Sequence, residues 1–224
     1  MTGVYERALG KSAADLHSKV RERYGIGPDD DVVCVGRGLM DITRGLLALP
    51  VLYAMPYRDL LFPERGESVP FTVTTVGYRT GAGHEVLTTR REFEFDRTER
   101  RFDSLTLWDA ENERLLDFLG RNGHVVSELH PRVEDGALVV EGGRQWFRLT
   151  GRYLPIPGPL GADVTVRDRY DDEEERYRVT AVVESALAGH ILSYRGAFTQ
   201  EFEELADVPT DLRPTRGLSR LPPA

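Results

Sequence analysis

From residue 69 to residue 198 the chain repeats one pattern, in which apolar and polar side chains alternate with period two and short turn-forming clusters interrupt them. In an extended strand successive side chains point to opposite faces, so this alternation builds sheet rather than helix. Candidate strands are 69–79, 84–96, 100–108, 124–130, 136–141, 144–150, 163–170, 176–184 and 189–198. The separators carry turn chemistry: Gly81-Ala82-Gly83, Asp96 to Glu99, Glu134-Asp135-Gly136, Gly142-Gly143 and the acidic run 171–175. Eight or nine sequential strands on short loops pair up-and-down, and such a sheet keeps two open edges unless it closes. The pattern therefore predicts a mainly β chain, an antiparallel calycin-like β-barrel of about eight or nine strands, with a two-sheet sandwich as the alternative.

The flanks read differently. Val4, Leu9, Leu16, Val20 and Tyr24 recur at helical spacing, and Gly25 and Gly27 stop the run, so 2–24 is predicted to be an amphipathic helix that plugs a barrel end or packs outside. The run from Asp31 begins strand-like, 38–61 reads as irregular or short-helical, and 111–120 reads as a short helix ending at Gly120. Residues 1–206 form one predicted domain, and the Pro-rich tail 207–224 is predicted to be disordered.

Composition removes several function classes. With 37 acidic against 29 basic residues the net charge is −8, and no basic stripe offers a nucleic-acid surface. The one cysteine, Cys34, excludes an internal disulfide and any Cys-based metal cluster. The longest apolar run, 45–55, is broken by Pro50 and is too short to span a bilayer. No cationic-then-apolar leader is visible, so a cytoplasmic location is expected. The segment VVCVGRG lacks the third glycine and the βαβ crossover of a dinucleotide fingerprint, so its glycines read as a tight bend or a close backbone approach. His17, His84, His124, His130 and His190 show no metal-ligand spacing. Neither a cofactor nor a metal is expected.

Two strands carry the candidate chemistry. In 84–96, Leu87, Thr89, Arg91, Phe93 and Phe95 share the aromatic, inward face. An inward guanidinium is costly without an acceptor, which makes Arg91 a ligand-oxygen donor, half of an internal ion pair, or an arginine at the barrel mouth. In the last hairpin His190, Leu192, Tyr194 and Phe198 share a face opposite Tyr177, Val179, Ala181 and Val183. Tyr194 and His190 are the candidate catalytic pair, the first donating to a substrate oxygen and the second exchanging a proton, or else they are satisfied groups at the core rim. Arg91, Thr89, Phe93, Tyr177 and Tyr57 are the candidate ligand-binding set, with Tyr57 in an apolar segment (45–62, including Tyr53, Met55 and Phe62) that either closes the mouth as a lid or packs on the sheet.

The stretches YERALG at 5–10, VGRGLMDITRG at 35–45, LFPERGESVPFTV at 61–73 and GHILSYRGAF at 189–198 stand together in an order and spacing that resembles domain of unknown function family 4166. The resemblance runs from about Tyr5 to Phe198, with one departure: Thr89 stands two residues before Arg91 where an aromatic belongs. It implies a bacterial domain found alone or attached to NAD-dependent oxidoreductase domains. It carries no catalytic residue. The residues lead to a mostly apolar metabolite bound inside the barrel and a cofactor-independent cyclisation, isomerisation or elimination. The alternative is a non-catalytic carrier or accessory domain serving an oxidoreductase partner. No nucleic-acid or membrane-spanning role is expected.

Overall fold

A computed structural model describes residues 3–215 and 218–224. The strands are β1 (Val32–Arg44), β2 (Gly66–Arg79), β3 (Glu85–Phe95), β4 (Thr98–Asp109), β5 (Arg114–Leu119), β6 (Val125–Glu134), β7 (Ala137–Leu149), β8 (Arg152–Pro155), β9 (Asp163–Asp171), β10 (Arg176–Ser185) and β11 (Gly189–Glu204). Among the described residues the helices are α1 (Val4–Leu9), α2 (Ser18–Tyr24) and α3 (Leu49–Ala54), with short 3-10 turns elsewhere. Antiparallel pairing runs β6-β5-β4-β3-β2-β1-β11-β10-β9-β7, and a further β6–β7 pairing closes the ring. The result is a closed barrel of ten strands, with β8 added to β7 as a short hairpin outside the ring.

Three readings need correction. The segment 111–120 is the strand β5, not a helix. Its RLLDFL lacks alternation because both faces are covered, and a doubly buried strand reads as a continuous apolar run. The chain from Val32 to Arg44 is one long strand, so only the later part of 38–61 is helical. The N-terminal helix is split: Gly10, with φ +56°, breaks the run, a 3-10 turn follows, and α2 restarts with the His17 imidazole accepting from the Lys19 amide at 3.2 Å.

Ten strands enclose more space than wall side chains alone can fill. The helices make up part of the difference at one end. Val4, Tyr5, Leu16 and Val20 pack with the inward residues Cys34, Leu87, Leu115, Leu138 and Val140. At the other end an aromatic layer closes in: Phe93 contacts Phe62 at 5.0 Å, Phe71 at 5.1 Å and Tyr194 at 5.6 Å between ring centroids. Beyond it the segment 45–62 crosses the mouth with Ala48, Leu52, Leu60 and Phe62 buried. The glycines of VGRG do what close approach demands. A Cβ on Gly36 would meet the Phe198 ring, and one on Gly38 would strike the Ala197 carbonyl.

The tail does not project from the barrel. The outward residues Val76, Val86, Leu105, Leu107, Leu116, Phe118 and Trp146 form a second apolar face, and Leu212 and Leu218 cover it. Polar contacts pin the strap along its length. Arg90 pairs with Asp211 at 2.7 Å, the Asn122 amide donates to the Pro214 carbonyl at 2.7 Å, and Arg114 Nη1 donates to the Pro223 carbonyl at 3.0 Å. A proline-rich segment looks frayed in sequence because it forms no regular element, yet its leucines find a prepared apolar surface. Leu218→Ala should cost about 2–3 kcal/mol and lower Tm by about 5–10 °C. An unchanged thermal midpoint would show that the strap does not hold the outer face.

Candidate functional site

The barrel interior carries a polar belt between the helical plug and the aromatic layer. Register places Thr75 on β2 opposite Thr89 on β3, Thr89 opposite Ser104 on β4, Thr106 opposite Asp117 on β5, and Asp117 opposite Ser127 on β6. All share the inward parity of Leu87 and Phe93.

One side of the belt is tied to the plug by a chain of hydrogen bonds. The Tyr24 hydroxyl donates to Asp168 Oδ2 at 2.9 Å, and Arg23 Nε lies 3.3 Å from the same oxygen. Arg23 Nη1 donates to Gln200 Oε1 at 2.9 Å, Gln200 Nε2 donates to the Tyr177 hydroxyl at 2.7 Å, and that hydroxyl donates to the Lys19 carbonyl at 3.0 Å. Arg23 also sits 4.8 Å over the Phe198 ring. Arg23 is 5% and Asp168 1% exposed, so the pair is closed off from water. The Asp168 carboxylate holds Arg23 charged, while burial raises the proton affinity of Asp168 and Arg23 opposes it. Asp168 Oδ1 and Thr75 Oγ1 are buried with no hydrogen-bond partner.

The other side is open inside. Arg91 donates one long hydrogen bond, Nη1 to Ser104 Oγ at 3.3 Å, and lies 5.0 Å over the Phe102 ring. Among the described residues it makes no direct ion pair. Asp117 accepts from Thr106 Oγ1 at 3.0 Å. Burial pushes the Asp117 carboxyl up to about 6, against the pull of the Arg91 charge and the Thr106 hydrogen bond. Tyr5 reaches the same region from α1, and burial followed by the Asp117 charge raises its hydroxyl. Arg91, Phe102, Asp117, Leu119 and Val166 are only half-buried although they face inward. These residues therefore keep free surface inside the wall or toward its end. Two grooves, of about 700 and 660 Å³, lie elsewhere: one along α2 and the end of β11, the other between His84, Trp108 and the C-terminus. Both open to solvent, and their arginines are already paired, Arg21 with Glu6 in the first and Arg7 with Glu85 in the second. Among the described residues no group of three or more His, Cys, Asp or Glu side chains could hold a metal ion.

The residues singled out from sequence scatter across this architecture. Arg91 and Thr89 are in the belt, and Thr89 is 8% exposed. Phe93, fully buried, is the centre of the aromatic layer. The Tyr177 hydroxyl is already engaged in the plug network on both its donor and acceptor sides. Tyr194 is buried and inward, opposite Ala181 and Ile42, and its hydroxyl has no hydrogen-bond partner among the described residues. His190 is not beside it. A bulge between Val183 and Glu184 shifts the register there, and the imidazole reaches Thr43 Oγ1 at 3.1 Å on the outer face with Ser193. Tyr57 is 85% exposed on the outside of the mouth-crossing segment. Sequence reasoning missed Asp117, because β5 was read as helix, and it missed Arg23, Asp168, Tyr5 and Tyr24. For Asp168 the signal was available: a lone carboxylate at an inward position of the candidate strand 163–170.

Fold and interior together define a closed, plugged antiparallel β-barrel with a polar internal belt. The chain belongs to the family described as Domain of unknown function (DUF4166), whose model matches residues 16–198. It is 28% identical over 212 residues, 91% of this chain and all of the other, to the uncharacterized protein YndH of Bacillus subtilis (strain 168). A crystal structure provisionally described as a thioesterase II from Thermobifida fusca YX aligns with 78% of this chain and 80% of its own at 9% identity and a TM-score of 0.21, which supports neither a shared fold nor a shared activity. No helix is long and apolar enough to cross a membrane among the described residues.

Removing one member of a closed-off ion pair strands the other. Arg23→Met should therefore destabilise the protein by about 3–5 kcal/mol near neutral pH. Without Arg23, the folded-state pKa of Asp168 lies above its unfolded value, so the variant is most stable at low pH and loses stability as pH rises. Urea unfolding at pH 5 and pH 8 measures this, and Arg23→Met/Asp168→Leu should recover most of the loss. Equal stability of Arg23→Met and wild type at pH 8 would contradict the role of the pair.

Proposed function

We propose that the protein binds one small molecule within the barrel, an apolar body bearing a carboxylate or enolate-like oxygen, and converts it by proton transfer without a cofactor. The observation that carries this reading is Arg91: an inward, half-buried guanidinium with a single long hydrogen bond, near a carboxyl that burial pushes up to about 6. Its unused donors fit a ligand oxyanion, and charge-assisted hydrogen bonds of this kind are the strong ones. Phe102, Leu119 and Val166 supply the apolar wall. Asp117, poised near neutral pH, can take a proton from carbon or return one, which suits isomerisation, cyclisation or elimination. Tyr194 stands in the aromatic layer against Phe93, away from Arg91, and His190 lies on the outer face, so neither is part of this site.

Closure at both ends favours a second reading, a carrier or an accessory domain for an oxidoreductase, because a ligand held behind a plug and a mouth-crossing segment leaves slowly. Turnover separates the two.

Native mass spectrometry of protein purified from its own host should show a retained small acid. Arg91→Met should remain folded by circular dichroism and lose occupancy at least tenfold, about 1.4 kcal/mol of binding free energy. An unliganded wild type, or undiminished occupancy in Arg91→Met, contradicts the proposal. A variant that fails to fold would instead make Arg91 a structural partner of the interior carboxylates.

A further inference from the structure

A second arginine enters the barrel from the other end. On β1, Met40, Ile42 and Arg44 share the inward parity, and pairing with β11 sets Ile42 opposite Tyr194 and Arg44 opposite Leu192. Met40, Ile42, Leu192 and Tyr194 are all buried in the aromatic-end core. Arg44 is thus the last inward residue of its strand. The chain leaves the wall at once, since the Gly45 amide donates to the Ile191 carbonyl at 3.0 Å and a Cβ on Gly45 would strike the His190 carbonyl. Whatever Arg44 holds therefore lies at the root of the mouth-crossing segment 45–62.

Arg44 holds nothing of the protein. Its Nε and Nη1 are buried with no hydrogen-bond partner, and no ion pair joins it among the described residues. The Tyr194 hydroxyl, diagonally adjacent on the inner face and within reach of a long side chain, is likewise unpartnered among the described residues. Arg44 is half-buried, and leaving two of its guanidinium nitrogens buried without acceptors destabilises the fold in a way that an apolar side chain of similar length would not. Outside, the same segment exposes Leu46, Leu47, Val51, Tyr53 and Tyr57, an apolar approach to the mouth.

We propose that Arg44, assisted by the Tyr194 hydroxyl, is a binding site for the anionic head, carboxylate or phosphate, of a small amphiphilic molecule entering beneath residues 45–62. The site is separate from Arg91. Arg91 lies on the plug side of Phe93, Arg44 lies beyond Tyr194 on the mouth side, and the aromatic layer stands between. The inference therefore survives or fails independently of the proposed function.

The test combines stability and binding in the full chain. Arg44→Met without added anion should raise Tm by about 3 °C, because an unsatisfied buried charge is removed. For wild type, decanoate and inorganic phosphate are titrated by calorimetry against chloride at equal ionic strength. Binding of decanoate alone assigns a carboxylate head, and binding of phosphate alone assigns a phosphate head. In either case Arg44→Met should weaken the binding at least tenfold, Tyr194→Phe by a smaller factor, and Arg91→Met not at all. Failure of both probes to bind, equal heat from chloride, unchanged binding in Arg44→Met, or a lower Tm in that variant would each overturn the proposal. Arg44→Lys, which keeps the charge, should retain more of the affinity than Arg44→Met.

Discussion

The Arg23–Asp168 pair, sealed between α2 and the β9 wall, is the contact on which the barrel's architecture turns. A ring of ten strands alone leaves a wide lumen. Through Arg23, Tyr24 and the Lys19 carbonyl, α2 is bonded to Asp168, Gln200 and Tyr177 on three neighbouring strands of the wall. The plug is thus held by directional polar bonds as well as by apolar packing. Directional bonds fix depth and rotation, which a greasy contact would leave free, and they orient Tyr5 and Tyr24 toward the belt. The T-shaped contact between those two rings, 4.9 Å between centroids, links α1 to the same anchor.

With the plug fixed, the interior divides. On the β2, β3 and β11 side, Phe71, Phe93, Tyr194 and Phe198 fill the space. Toward β4 to β6 the polar belt residues Ser104, Thr106, Asp117 and Ser127 face inward, and Arg91 of β3 and Asp117 keep free surface. Glycines 36 and 38 make room for the aromatic layer on one side. A charge left in such a space cannot be relaxed by water as it would be in bulk, so the Asp117 carboxyl rises toward neutrality even with a guanidinium nearby. The strap over the outer face closes the shell from outside and lets β1 to β6 be apolar on both sides.

This double burial explains what was legible in the sequence. Strands with one wet face, such as β9 and β10, announce themselves by alternation, and the inward parity of Arg91, Phe93 and Tyr194 was readable from it. The strand β5 did not announce itself, because Leu116 and Phe118 are covered from outside while Leu115 is covered from within. Asp117 was lost with it. The bulge that turns His190 outward is a local register shift with no marker beyond Gly189. The tail's leucines looked solvent-bound because their partner surface is assembled from strands far away in sequence. Arg23 and Asp168 are separated by most of the chain, and only the closed ring brings them together.

The proposed chemistry depends on the ionisation of Asp117 inside the closed barrel. Carboxyl 13C shifts of the folded protein, followed by NMR from pH 3 to pH 8, report each aspartate directly, and Asp117→Asn assigns the resonance. One aspartate should titrate near pH 6, and its resonance should disappear in Asp117→Asn. An Asp117 resonance titrating in the ordinary carboxylate range, near 4, would show that the carboxyl faces water and that the interior holds no poised acid–base group.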